Sequence, residues 1–161
     1  MNKDLAPDLL KELQKQGLTL GSVESLTAGL FGARFCEVPG ASKAYLGGLI
    51  TYDPKEKIAL AHVPAKLIDQ YGVVSTEVAK AMAEGGLRAL QVDLCVAVTG
   101  NAGPTTCPGY AKVGDVDIGI ATKNRTYTFP NHFEGSRNEI REKAVEVMMD
   151  SLLFVIRGPR K

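Results

Sequence analysis

The sequence predicts a single three-layer α/β/α domain built on a mixed sheet, and three observations carry that prediction. The 161 residues suit one domain, because domains average ~100–200 residues and a chain of this size buries about two-thirds of its unfolded surface. Helical and strand-like periodicities alternate along the chain, as helices on both faces of a sheet require. The segment DLCVAVTG (93–100) is almost continuously apolar, the pattern of a strand covered on both faces.

Taken in order, Leu5, Leu9, Leu10 and Leu13 recur at helical spacing over residues 4–16, and Gly17 stands where a C-cap would end that helix. LTLGSVES (18–25) reads as a strand and TAGLFGARFCEV (27–38) as a helix stopped by Pro39-Gly40, which places Ser25 at a tight strand-to-helix turn. YLGGLITYD (45–53) is β-rich, and Asp53-Pro54 supplies an N-cap and a first-turn proline for a helix over about 54–61. Val63-Pro64 begins a short helix that ends near Tyr71-Gly72. Ser75 caps a longer one, TEVAKAMAEGGLRAL, with Val78, Met82 and Leu90 on its apolar stripe. After the strand 93–100 comes the loop NAGPTTCPGYAK. VGDVDIGIAT (113–122) and RTYTFPNHF (125–133) then pair through a turn at Lys123-Asn124. SRNE (136–139) is a capping box in which Ser136 caps and Glu139 reaches back, opening a helix to about residue 156 before the basic tail RGPRK.

Composition removes several classes of function. At 45% hydrophobic and 23% charged the chain is an ordinary globular protein, and a net charge of +1 gives no broad footprint for nucleic acid or an anionic membrane. Cys36, Cys95 and Cys107 are odd in number and lack CxxC spacing, so neither a disulfide framework nor a zinc site is expected. His62 and His132 have no ligand-like spacing, and P-loop and GxGxxG signatures are absent, so no metal and no cofactor is expected. No apolar run reaches the ~18 residues of a membrane span, and MNKDLAPDLL lacks a signal-peptide core. The expected location is the cytoplasm. Seventeen Gly against two His point to loops lined by backbone rather than to a histidine-based site.

Four segments can meet beyond the carboxyl ends of the strands, where open α/β sheets bind ligands. In Glu24-Ser25-Leu26-Thr27-Ala28-Gly29, Ser25 has the setting of an acyl-transfer nucleophile beside oxyanion-binding amides, though Ser25 or Thr27 as a simple helix cap accounts for the same residues. Tyr52 ends a strand and Lys57 lies one helical turn further on. A lysine deprotonates a serine only when burial or nearby positive charge lowers its pKa from ~10.4 toward 7; by spacing alone, Lys55 and Lys57 are solvated helix surface. Thr99, Gly100 and the amides that follow can hold a carbonyl oxygen or a phosphate, or form a structural turn. Arg137 and Arg141, four apart beside a helix N-terminus, suit a phosphate or carboxylate, or a surface salt bridge to Glu134 or Glu142. Cys107 lies in a loop and has no clear activating neighbour.

The segments resemble, in order, the CinA C-terminal domain family over about residues 5 to 155. The pattern reads V-E-S-x-T-x-G at 23–29, V-P-G-A-S…G-G…T-Y at 38–52, K-I-A-L at 57–60, Y-G-V-V-S-x-E-V-A…M-A-E-G at 71–85, A-V-T-G-x-A-G-P at 97–104, V-G at 113–114 and F-x-G-x-R-x-x-I-R at 133–141. The resemblance implies an amidohydrolase that deamidates nicotinamide mononucleotide through a Ser/Lys dyad, here Ser25 and Lys57, with Tyr52 orienting the lysine or stacking near the pyridinium. It implies a substrate site drawn from Thr27, Gly48, Thr99, Gly100 and Gly103, with Arg137 and Arg141 for the nucleotide phosphate. It further implies a pyridine mononucleotide as the partner and a homo-oligomer; with the charge and motif readings above, no cofactor, nucleic acid or membrane is expected. The chain departs from the pattern at Leu26 and Ala28, at Asn101 where isoleucine is usual, at Thr105-Thr106-Cys107 in place of a Gly-rich run, and at Ala111-Lys112. Those departures carry the alternative expectation of a catalytically impaired nucleotide- or partner-binding protein.

Overall fold

The helix caps read from the sequence are those that build the fold. In the computed structural model, which describes residues 4–106 and 111–158, α1 (Ala6–Gln16) ends on Gly17 at φ +65°, whose amide turns back to the Gln14 carbonyl. β1 (Leu20–Glu24), α2 (Leu30–Phe35), a 3-10 turn and β2 (Tyr45–Ile50) follow. The Asp53 side chain accepts from Lys55 N to start α3 (Pro54–Ala61), and α4 (Ala65–Tyr71) comes next. Ser75 accepts from Val78 N at the head of α5 (Thr76–Leu90). β3 (Leu94–Gly100), β4 (Asp115–Thr122) and β5 (Thr126–His132) lead to α6 (Arg137–Arg157), opened by the Ser136/Glu139 capping box. Cys107, Gly109 and residues 159–161 of the basic tail lie outside the described residues.

The sheet is mixed, in the order β2-β1-β3-β4-β5, with β2, β1 and β3 parallel and β4 and β5 antiparallel to their neighbours. From β1 the chain passes to β2 on one side and then to β3 on the other. The order therefore reverses at β1, and a crevice opens beyond the carboxyl ends of β1 and β3.

Strand alternation divides the core. Leu20, Val96, Val98, Ile118 and Ile120 face the layer of α1, α2 and α6, while Val23, Cys95, Ala97 and Ala121 face α5 and its neighbours α3 and α4. α5 lies close to both sheet and α3 because Gly85 and Gly86 carry no side chain there. A Cβ on Gly85 would overlap the Ala61 carbonyl of α3, and one on Gly86 would meet Val23 and Cys95. Among the described residues no helix is long and apolar enough to cross a membrane.

The strand expected over 45–53 ends at Ile50, the helix expected over 27–38 ends at Phe35, and the start of that helix differs for a definite reason. The helix expected over 27–38 begins only at Leu30, because residues 26–29 form a turn with Ala28 at φ +49° and Gly29 at φ +98°. The buried Glu24 carboxylate then takes the first helical amides, accepting from Phe31 N at 2.8 Å and Gly32 N at 3.3 Å. A side chain from the end of β1 thus serves the free amides of a helix N-terminus.

Candidate active site

At the crevice the Lys57 amine donates to Ser25 Oγ at 2.9 Å and to the Thr51 carbonyl at 2.7 Å. On a helix, residues two apart point in opposed directions, so Lys55 and Lys57 cannot share a face. Lys57 and Ala61, four apart, take the buried face of α3 toward α5, and Lys55 remains exposed. Lys57 is 0% exposed, and no carboxylate forms an ion pair with it among the described residues. Desolvation pushes its pKa down from 10.5 to about 8, against the weaker opposing pull of Asp53. Burial thus meets the condition under which a lysine acts as a base near neutrality. Ser25 is 7% exposed, and its amide donates to the Val98 carbonyl at 3.2 Å, which ties the end of β1 to β3.

The turn after Ser25 is held from two directions. Thr27 Oγ1 donates to Glu24 at 2.7 Å. Arg141 reaches across from α6, with Nε donating to the Leu26 carbonyl at 2.9 Å, Nη2 to the Thr27 carbonyl at 3.0 Å and Nη1 to Asn138 at 3.1 Å. The amides of Leu26 and Thr27 meet no acceptor among the described residues.

A cleft of about 330 Å³ opens over Ser25. Leu26, Pro54, Val73 and Val74 give it apolar walls, and Arg137 is the one charged side chain among its described lining residues. Arg137 spans the mouth, donating to the Gly103 carbonyl at 2.6 Å and to the Tyr52 hydroxyl at 2.9 Å. The two carboxylates considered as its salt-bridge partners are engaged elsewhere, Glu142 with Arg34 at 2.7 Å and Glu134 with His132 at 2.9 Å. A larger groove, about 610 Å³, runs between α1, α2 and α6 but carries no nucleophile–base pair.

The structure thus brings Ser25, Lys57, Tyr52, Gly100, Gly103 and Arg137 to one place. Four candidates stand apart from this group. Thr27 is fully buried against Glu24, and Thr99 is buried with its hydroxyl donating to the Val73 carbonyl at 2.9 Å. Gly48 lies within β2 opposite Ser22, where a Cβ would crowd Ser22 and Tyr45. Arg141 is spent on the turn. Sequence reasoning missed the Thr51 carbonyl, Glu24, Val73 and Val74. It also missed how Asn101 acts: its Oδ1 accepts from Gly103 N at 2.9 Å and its Nδ2 donates to the Ala111 carbonyl at 3.0 Å, closing the loop after β3. An Asn two residues before a Gly is an Asx-turn signal that could have revealed this.

Comparison with known proteins agrees with this architecture. The chain resembles the competence/damage inducible protein CihA of Agrobacterium tumefaciens with a TM-score of 0.92 and 27% identity, covering 98% of each chain. It resembles an Escherichia coli protein of the competence-damaged protein (CinA) superfamily with a TM-score of 0.90 and 28% identity, over 92% of this chain and 87% of that one. A CinA-like protein of Leptospira borgpetersenii serovar Hardjo-bovis is 41% identical over 143 residues, which are 86% of this chain and 34% of the relative. A competence-damage inducible protein of Limosilactobacillus reuteri is 42% identical over 145 residues, 88% and 35% of the two chains. The chain therefore spans about a third of the length of the curated relatives it matches. The family described as the CinA C-terminal domain matches residues 2–156, and the chain belongs to that family.

Proposed function

We propose that the protein hydrolyses the carboxamide of nicotinamide mononucleotide, with Ser25 as nucleophile and Lys57 as general base. The observation that carries this reading is the 2.9 Å contact between Ser25 Oγ and a fully buried Lys57 amine. Neutral Lys57 takes the Ser25 proton as Oγ bonds to the amide carbon. The tetrahedral intermediate then expels ammonia, which carries off the proton from Lys57. Water attacks the resulting ester, again losing a proton to Lys57, and nicotinate mononucleotide leaves as Ser25 recovers its proton. The Leu26 amide, which meets no acceptor among the described residues, serves as an oxyanion donor, and Arg137 supplies the cation for the phosphate. Ammonia release by the purified protein from nicotinamide mononucleotide tests the reading; no release, with the fold intact, overturns it.

Two further results are expected. Because only neutral Lys57 acts as the base and its pKa is about 8, kcat/KM rises about tenfold per pH unit below 8 and levels off above it. A pH–rate profile that is flat from pH 6 to 9 would remove Lys57 from the role. Arg137→Ala raises KM for the mononucleotide about 10- to 100-fold, the range of a lost charge-assisted hydrogen bond, and leaves nicotinamide riboside, which lacks the phosphate, unaffected. Equal losses on both substrates would make Arg137 a structural element of the cleft mouth.

A further inference from the structure

The peptide groups that follow Ser25 are satisfied on one side only. The N–H groups of Leu26 and Thr27 meet no acceptor among the described residues, whereas the carbonyls around them are all engaged. Ser25 O accepts from Ala28 N at 3.0 Å, and Leu26 O and Thr27 O accept from Arg141 at 2.9 and 3.0 Å. Thr27 is fully buried, whereas Leu26 lines the cleft, so the Leu26 N–H is the donor within reach of a ligand and the guanidinium fixes the turn that carries it.

Arg141 does this from outside the cleft, whose lining includes Leu26 and Arg137 but not Arg141. Among the described residues, the only other full charge bonded to this turn is the Glu24 carboxylate, which Thr27 Oγ1 contacts at 2.7 Å. An oxyanion developing nearby is repelled by Glu24, so a cation on the same turn has a definite electrostatic task. The fork of an arginine suits it, because Nε and Nη2 together reach two successive carbonyls, which a lysine amine does not do in parallel.

We propose that Arg141 is a positioning residue for amide hydrolysis, clamping the turn after Ser25 so that the Leu26 N–H stabilises the tetrahedral oxyanion formed at Ser25. This rests on the amidohydrolase reading above and assigns Arg141 to the reacting carbonyl rather than to the substrate phosphate.

The test compares the parent protein with Arg141→Ala and Arg141→Lys for kcat, KM and inhibition by pyridine-3-boronic acid. Ser25 Oγ adds to the boron of that probe, its proton passes to Lys57, and the product is a tetrahedral boronate anion that mimics the intermediate. Removing a direct oxyanion donor costs about 10²–10³ in kcat, so loss of this indirect support in Arg141→Ala lowers kcat about 30-fold. KM stays within about threefold, and boronate affinity falls by the same factor as kcat. Arg141→Lys, which keeps the charge without the fork, falls between the two and decides the matter should the alanine variant not fold. An unchanged kcat, a loss confined to KM, or a fall in kcat with boronate affinity untouched overturns the assignment. A parent protein that releases no ammonia removes the amidohydrolase reading itself, whereas an active parent with an indifferent Arg141→Ala variant removes this inference alone.

Discussion

Ser25→Ala will reduce ammonia release from nicotinamide mononucleotide by at least ~10³-fold, and Lys57→Ala will do the same. On the proposed mechanism, nucleophile and base act as one unit across their 2.9 Å contact, so the double variant should be no worse than either single one. Multiplicative losses would show two independent roles. Lys57→Met keeps the bulk while removing the base, and it gives a second measurement. The folded-state pKa of Lys57 is about 8 against an ordinary 10.5. Between those values the unfolded chain holds a proton that the folded chain has released, so stability rises with pH across that window. The parent should therefore gain about 3 kcal/mol relative to Lys57→Met from pH 7.5 to 10.5, read from urea unfolding at each pH. No relative gain would mean that the amine is not desolvated as its burial implies.

Gly85→Ala is expected to have the largest effect on stability. In an exposed helix interior this change gains about 1 kcal/mol, since glycine is the poorer helix former. Here the new methyl would overlap the Ala61 backbone carbonyl, and α3 and α5 cannot both keep their positions. The net loss should be about 3 kcal/mol, a fall of roughly 10 °C in Tm for a chain of this size. Gly86→Ala should cost less, because Val23 and Cys95 meet it with side chains rather than backbone. Because α3 carries Lys57, activity in Gly85→Ala should fall further than the folded fraction alone explains. A Gly85→Ala protein of parental Tm and activity would refute the close packing.

How much of this was legible in the sequence varied with the range of the interactions concerned. Caps are local, so Gly17, Asp53, Ser75 and the Ser136/Glu139 box mark helix ends that the fold keeps. The apolar run of β3 likewise announces a strand covered on both faces. Spacing alone set Lys55 and Lys57 together as surface lysines, because PKEKIALA has almost no apolar stripe to show which side faces in. The burial of Lys57 comes from α5, whose glycines let α3 approach. The early start expected for α2, at Thr27, failed because Glu24 takes the first helical amides, seven and eight residues ahead of it. Arg137 and Arg141 look alike as an i, i+4 pair. Their partners lie as far as 115 residues away, and only the folded chain separates the one that faces the cleft from the one that grips the turn.

α6 joins two demands that many folds assign to separate elements. The helix that presents Arg137 and Arg141 also sends Ile140, Ala144, Met148 and Leu152 into the core. A change in that buried row tilts or slides the helix as a rigid rod and carries both arginines with it. Random mutagenesis of α6 will therefore yield catalytic defects at residues that never approach the cleft. On the proposed function, the packing of this helix therefore bears on activity as directly as on stability.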